Sequence, residues 1–168
     1  NHISSVTAAD EFDGYRFGKY EIKVGQKWET DQDWTVYRFA ETLLMKAECL
    51  LRAGDAQGAA DIVNMVRARS FSDNLPESER RLTAEQLSAN TMVDGVNVRY
   101  GEFLNEIGRE LCGEGMRREQ LLRFDDVYTK GTWWAHAPKN DAHLKLFPIP
   151  QDQRISNPRL RQNDGYPE

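Results

Sequence analysis

A mainly α-helical fold is predicted, on three observations. Between Val36 and Leu51 apolar residues recur at three- and four-residue steps. A Gly54-Asp55 junction links that stretch to a second one with the same period. After Asp94-Gly95 a third such segment carries Phe103, Leu104, Ile107 and Leu111 on one side.

The first helix is expected over about 35–53. Val36, Phe39, Ala40, Leu43, Leu44, Ala47, Leu50 and Leu51 give it one broad apolar face. Gly54 can take the left-handed conformation that ends a helix, and Asp55 is a suitable N-cap for the next. The second helix, about 55–69, carries Ala56, Ala59, Ala60, Val63 and Val66, with Arg67 and Arg69 in a last turn that favours cations. So short a link makes the two antiparallel neighbours, and the alanines let them approach closely. The pair resembles one tetratricopeptide unit, present in a single clear copy.

A polar loop containing Pro76 follows over 70–81. Thr83-Ala84-Glu85-Gln86 is a capping-box pattern and opens a short helix to about Ala89. The third long helix is placed at 101–112. Gly108 inside it costs roughly 1 kcal/mol relative to alanine, so another backbone is expected to press against that turn. Gly113 and Gly115 interrupt it, and Met116–Phe124 forms a further short helix. The prolines of Leu146-Phe147-Pro148-Ile149-Pro150 exclude a helix or a central strand there, so the closing segment should wrap the helices in extended form. Residues 1–34 have no sustained period. They read as an irregular, aromatic-rich arm with turns at Asp13-Gly14 and Val24-Gly25 and short extended pieces at Tyr15–Phe17 or Tyr20–Ile22. The expected organisation is therefore an arm, 1–34, and a helical domain, 35–168.

With 39% hydrophobic and 29% charged residues among 168, the chain has the composition of a globular protein. Its net charge of −5 speaks against nucleic acid as a partner. The local basic group Arg117, Arg118 and Arg123 is interleaved with Glu114, Glu119 and Asp125, which reads as a solvated, salt-bridged helix face. Cys49 and Cys112 are expected to be two buried free thiols. No apolar run is long enough to span a bilayer. The chain opens on Asn1 without a signal-peptide pattern, so it is expected to be a processed or excised piece.

Catalytic signatures are sparse. Glu106, Glu110 and Glu114 recur at four-residue spacing, and two carboxylates flanking a bond are what glycosidases use. The interspersed Arg109 and Arg117 favour a helical ion-pair ladder instead. His2, His136 and His143 share no metal-ligand spacing, and Asp125-Asp126 lies in no EF-hand loop. Neither a cofactor nor a metal is expected, and the chain reads as a non-enzyme.

Three blocks together resemble the SusD/RagB family. Tyr37–Glu48, YRFAETLLMKAE, is similar to the family's RYAEVLLMYAEA helix, and after the glycine turn Val63–Arg69 is close to NxVRxRA. Glu106–Arg117, EIGRELCGEGMR, resembles ERRRELAFEGHR. Phe147–Gln151, Asn157–Leu160 and Gln162–Tyr166 resemble the closing LxPIPQxxxxxNPxLxQNPGY. The resemblance spans about 35–166 and departs at Ile107, Gly113, Arg118 and Gln120.

This resemblance implies a non-catalytic, glycan-binding component of nutrient uptake at the cell surface of the outer membrane. It would be lipid-anchored through a region outside this chain and would hand polysaccharide or oligosaccharide to a SusC-like, TonB-dependent transporter. It further implies that an N-terminal portion of the same protein covers part of the first helix, and that this chain alone binds glycan weakly. Sugar C–H faces stack on aromatic rings, so Trp28 and Trp34, in the polar stretch before the first helix, are candidate contacts, with Trp133 and Trp134 as a second pair. The alternative reading is a tetratricopeptide-like interaction module that docks a partner chain.

Overall fold

The computed structural model describes residues 9–10, 12–14, 17–21, 23–25, 32–132 and 141–167. They fall into two compact units, Asn1–Val36 and Tyr37–Glu168.

The first unit has no helix or strand among its described residues. It turns at Asp13-Gly14, where the Asp13 N–H donates to the Asp10 carbonyl and the Asp10 carboxylate accepts the Phe12 N–H. A second turn falls at Val24-Gly25. Of the expected extended pieces, Tyr15, Arg16 and Ile22 lie outside the described residues, while Phe17, Tyr20 and Glu21 form no strand.

The second unit is helical, as the periodicity predicts. Helix α1 spans Phe39–Arg52 and α2 spans Ala56–Arg67. Helix α1 begins later than expected because Arg38 is extended, at φ −146° and ψ 159°. Its end is a Schellman turn: Gly54 sits at φ 91°, its N–H donates to the Leu51 carbonyl, and the Asp55 N–H donates to that of Leu50. The Asp55 carboxylate then accepts the Gly58 N–H at 2.8 Å and opens α2. The hairpin core is Leu44, Ala47 and Leu51 against Ala59, Ala60 and Val63. Burying each large side chain there is worth roughly 1.5–3 kcal/mol. The outer side of α1 is another matter, with Phe39 74% and Met45 49% exposed. Cys49 faces that side and Cys112 follows the end of the third long helix, so both thiols are exposed and not buried as expected.

Short helices α3, Glu77–Arg80, and α4, Ala84–Ser88, lead back across the hairpin. The capping box at Thr83 and Gln86 is formed in both directions. Buried Asn64 of α2 grips this return. Its amide donates to the Leu82 carbonyl and accepts the Leu82 N–H, at 2.9 and 2.8 Å.

Strands β1, Asn90–Val93, and β2, Val96–Arg99, form an antiparallel hairpin that the helical reading passed over. Asp94 and Gly95 sit at φ 50° and 84°, the two positive angles a type I′ turn needs. Helix α5, Gly101–Glu110, packs on β1 and buries Phe103, Leu104 and Ile107. The close backbone approach expected at Gly108 occurs at Gly101 instead, where a Cβ would lie 2.7 Å from the Thr91 carbonyl oxygen. At Gly108 the neighbour is a side chain, the Arg117 guanidinium, 2.6 Å from where a Cβ would stand.

Helices α6, Arg117–Arg123, and α7, Val127–Lys130, complete the body. A 3-10 turn at Ala142–Lys145 packs on α7, and the Leu146–Pro150 stretch is extended as expected. The tail after it is not wholly irregular: α8, Gln151–Ser156, starts at once, since a proline before a first turn costs no helical hydrogen bond. The tail then folds back on the strap. Gln162 accepts the Ile149 N–H and donates to its carbonyl, Asn163 donates to Phe147, and the Tyr166 hydroxyl donates to Leu146. No helix among the described residues is long and apolar enough to cross a membrane.

Candidate functional site

Of the four tryptophans singled out by sequence, Trp34 lies among the described residues; Trp28, Trp133 and Trp134 lie outside them. Trp34 is 59% exposed although one ring face is already covered. That cover is Tyr20, stacked on it at 5.1 Å between centroids and 19° between planes. Periodicity gave no sign of Tyr20 as its partner, because neither residue lies in a helix or strand whose period could link them. A stacked pair holds the indole plane fixed and leaves its other face to solvent, which suits the apolar side of a pyranose. Polar groups stand next to it: Asp33 is exposed, and the Tyr20 hydroxyl and Gln32 Nε2 are shielded atoms without a hydrogen-bond partner. The exposed Asp33 carboxylate can accept from sugar hydroxyls.

The carboxylates of the third long helix are arranged differently from the expected ladder. Helix α5 stops at Glu110, and its acids are paired mainly across the fold. Arg67 meets Glu106 at 2.5 Å with both side chains 6% exposed, and also donates to the Glu79 and Arg80 carbonyls. Arg38 binds Glu110 at 2.5 Å and Glu114 at 2.7 Å, and Arg69 also pairs with Glu110. The Glu114 hydrogen bond, with Glu110 behind it and against the cost of burial, holds the Arg38 guanidinium above its ordinary range. Only Arg109, bonded to Glu106 and Glu102, keeps the local pattern. These acids are committed to guanidinium groups, the arrangement of a framework and not of two carboxylates facing across a cleft.

The basic group of α6 is a solvated, salt-bridged face at Arg123, while Arg117 and Arg118 are half-buried and bond to backbone carbonyls. Arg123 reaches Glu48 of α1 at 2.8 Å. Burial opposes ionisation of Glu48, but Arg123 and then Arg52 outweigh it and hold the carboxyl below its usual range. Arg118 lies between the rings of Phe147 and Tyr128, at 4.2 and 5.0 Å, and donates to the Leu144 and Lys145 carbonyls, which fastens the C-terminal strap. Arg117 lines a cavity of about 720 Å³ between α5 and α6. No group of three or more potential metal ligands occurs among the described residues. His2 and His136 lie outside them, and His143 is held by Asp141 at 2.6 Å and by the edge of Tyr166.

Comparison with known proteins decides the family. The SusD family model matches residues 5–166. The chain belongs to the SusD family. A curated relative, the starch-binding protein SusD of Bacteroides thetaiotaomicron, is 29% identical over 143 residues. The match takes in 81% of this chain and 22% of the relative, so the chain spans well under half of that protein's length. No solved structure matches the chain.

The SusD-like blocks have a physical reason in this fold. Arg38 from the first block binds Glu110 and Glu114 of the second. Asn64, Arg67 and Arg69 of the asparagine–arginine motif hold Leu82, Glu106 and Glu110. The third block closes on itself through Gln162, Asn163 and Tyr166. The residues that mark the family are thus largely those that assemble the framework, and the tryptophan candidates lie outside the blocks.

Proposed function

We propose that this chain is part of a non-catalytic glycan-binding protein that captures polysaccharide or oligosaccharide at the outer-membrane surface. Membership of the SusD family carries this reading, because the curated relative is named for binding starch. The open indole face of Trp34, backed by Tyr20, supplies the contact within this chain. Trp28, Trp133 and Trp134 are further platforms of the same chemistry. Delivery to a TonB-dependent, SusC-like transporter and anchoring by lipid through another part of the protein complete the proposal.

The test is calorimetry of the chain against oligosaccharides from starch, xylan, mannan and pectin. One class should bind, with a Kd on the order of millimolar, since a site shared with other parts of the protein gives only about −4 kcal/mol here. No reducing ends should be released. Binding of none of them would remove the glycan reading, and hydrolysis lost in Glu110→Gln would remove the non-catalytic one.

A further inference from the structure

The cavity between α5 and α6 is lined by Arg109, Arg117 and Arg118, with Asn105 and Gln120 beside them and Gly108 as part of its wall. No carboxylate lines it, although the chain as a whole is acidic. The neighbouring acids are spent elsewhere: Glu106 and Glu110 on Arg67, Arg38 and Arg69, and Glu114 on Arg38.

The three guanidinium groups differ in what they have left to give. Arg109 is paired with Glu102 and Glu106. Arg118 holds two carbonyls and stacks between two rings, with its Nε shielded and without an acceptor. Arg117 has no salt bridge among the described residues. One of its terminal nitrogens donates to the Leu104 carbonyl at 2.8 Å and lies 3.4 Å from the neutral Gln120 amide oxygen. Its Nε–H and second terminal nitrogen have no acceptor among the described residues, and the absence of a side chain at Gly108 lets the guanidinium approach α5 closely.

A half-buried guanidinium without a carboxylate in direct contact is unusual, because the more distant charge of Asp94 offsets its desolvation only in part. Burial acts most strongly to weaken its hold on its proton, Asp94 opposes this, and the like charge of Arg109 adds to it. An anion bonded to the guanidinium would offset the cost of burial and the repulsion from Arg109. A planar carboxylate fits the free fork of Arg117 in a bidentate pair, and Asn105 and Gln120 can bond hydroxyls beside it. The volume admits a sugar ring with its charged group.

We propose that this cavity is a subsite for the carboxylate of an acidic sugar, a uronate residue of the bound glycan, with Arg117 as its anchor. The inference rests on the glycan-binding reading for the identity of the ligand and extends it to acidic polysaccharide.

The experiment follows the arginine Nε–Hε resonances of the chain during titration with trigalacturonate and, separately, maltotriose. Trigalacturonate should shift the Arg117 resonance, bind at least about tenfold more tightly than maltotriose, and weaken as salt rises. Arg117→Gln should abolish that preference. If this variant unfolds, Cys112→Trp, an exposed residue of the cavity lining with no role assigned in binding, should block trigalacturonate and leave maltotriose unchanged. Equal binding of the two sugars, or trigalacturonate binding with an unmoved Arg117 resonance, would overturn the acidic subsite and leave the glycan reading intact. A trigalacturonate response without any neutral-sugar binding would support the subsite, whatever becomes of the Trp34 platform. A shift given equally by acetate and by a glutamate-containing tripeptide would assign the cavity to carboxylates of protein origin and overturn the sugar assignment.

Discussion

The α1–α2 hairpin and the α5–α6 region are both helical and share one apolar core, yet the polar contacts that hold them differ. The hairpin is a local object: a glycine turn, an aspartate cap, and interlocked alanine, leucine and valine side chains between neighbours in sequence. The α5–α6 region is fixed to the rest by long arginines whose partners lie far along the chain, 39 residues for Arg67–Glu106 and 76 for Arg38–Glu114. Apolar patterning builds the elements. Guanidinium groups fix how the later elements dock.

That contrast can be broken from either side. The largest effect should come from Arg67→Ala, which takes from buried Glu106 its buried partner, leaves it to the half-exposed Arg109, and frees the Glu79 and Arg80 carbonyls. A loss of about 3–5 kcal/mol is expected in denaturant unfolding. Replacing both partners, Arg67→Met with Glu106→Leu, should recover most of it, because an apolar pair of similar volume avoids the desolvation cost. No recovery would mean that the backbone carbonyl bonds, and not the charge pair, dominate.

On the hairpin side Leu51→Ala should cost about 2–4 kcal/mol, since Leu51 is 2% exposed and its removal leaves a cavity. Asp55→Ala should cost about 1 kcal/mol by loss of the N-cap, with no change in the docking of α5. Amide hydrogen exchange separates the two, with protection falling in α2 but not in α5.

The smallest effect has a pH signature. Glu48 bridges α1 and α6 through Arg123, and its carboxyl is held below the ordinary carboxylate range. A depressed folded-state pKa contributes stability above the unfolded value, and that contribution disappears as pH falls through the folded one. Glu48→Gln should therefore cost up to about 1 kcal/mol near neutrality, both partner arginines being roughly half exposed. The difference from wild type should close on acidification below about pH 4. A gap that widened in acid would assign the wrong sign to this contact.

The sequence was most legible where structure is local. The Gly54-Asp55 junction, the Thr83 capping box and the inward face of α5 each follow from residues within one or two turns. The β-hairpin was equally local, since Asp94-Gly95 between Val93 and Val96 is a type I′ signal, but the same dipeptide also reads as punctuation before a helix. What no period could reveal was the reach of long side chains. Arg117 over Gly108 and Arg118 between Phe147 and Tyr128 depend on where separate elements come to rest. The candidate site was legible as residue types, a tryptophan in a polar stretch, but its stacking on Tyr20 joins positions 14 residues apart, neither of them in a helix or strand.

The measurement closest to the central claim is the indole N–H resonance of Trp34, assigned through Trp34→Phe and followed during titration with whichever oligosaccharide the calorimetric panel selects. It should move in a saturable way, and Trp34→Ala should lose binding by at least about tenfold, as alanine at a ring platform removes the stacking contribution, with thermal unfolding unchanged. A sugar that binds Trp34→Ala as well as it binds the parent chain, with the indole resonance unmoved, would contradict the assignment of Trp34 as the glycan contact.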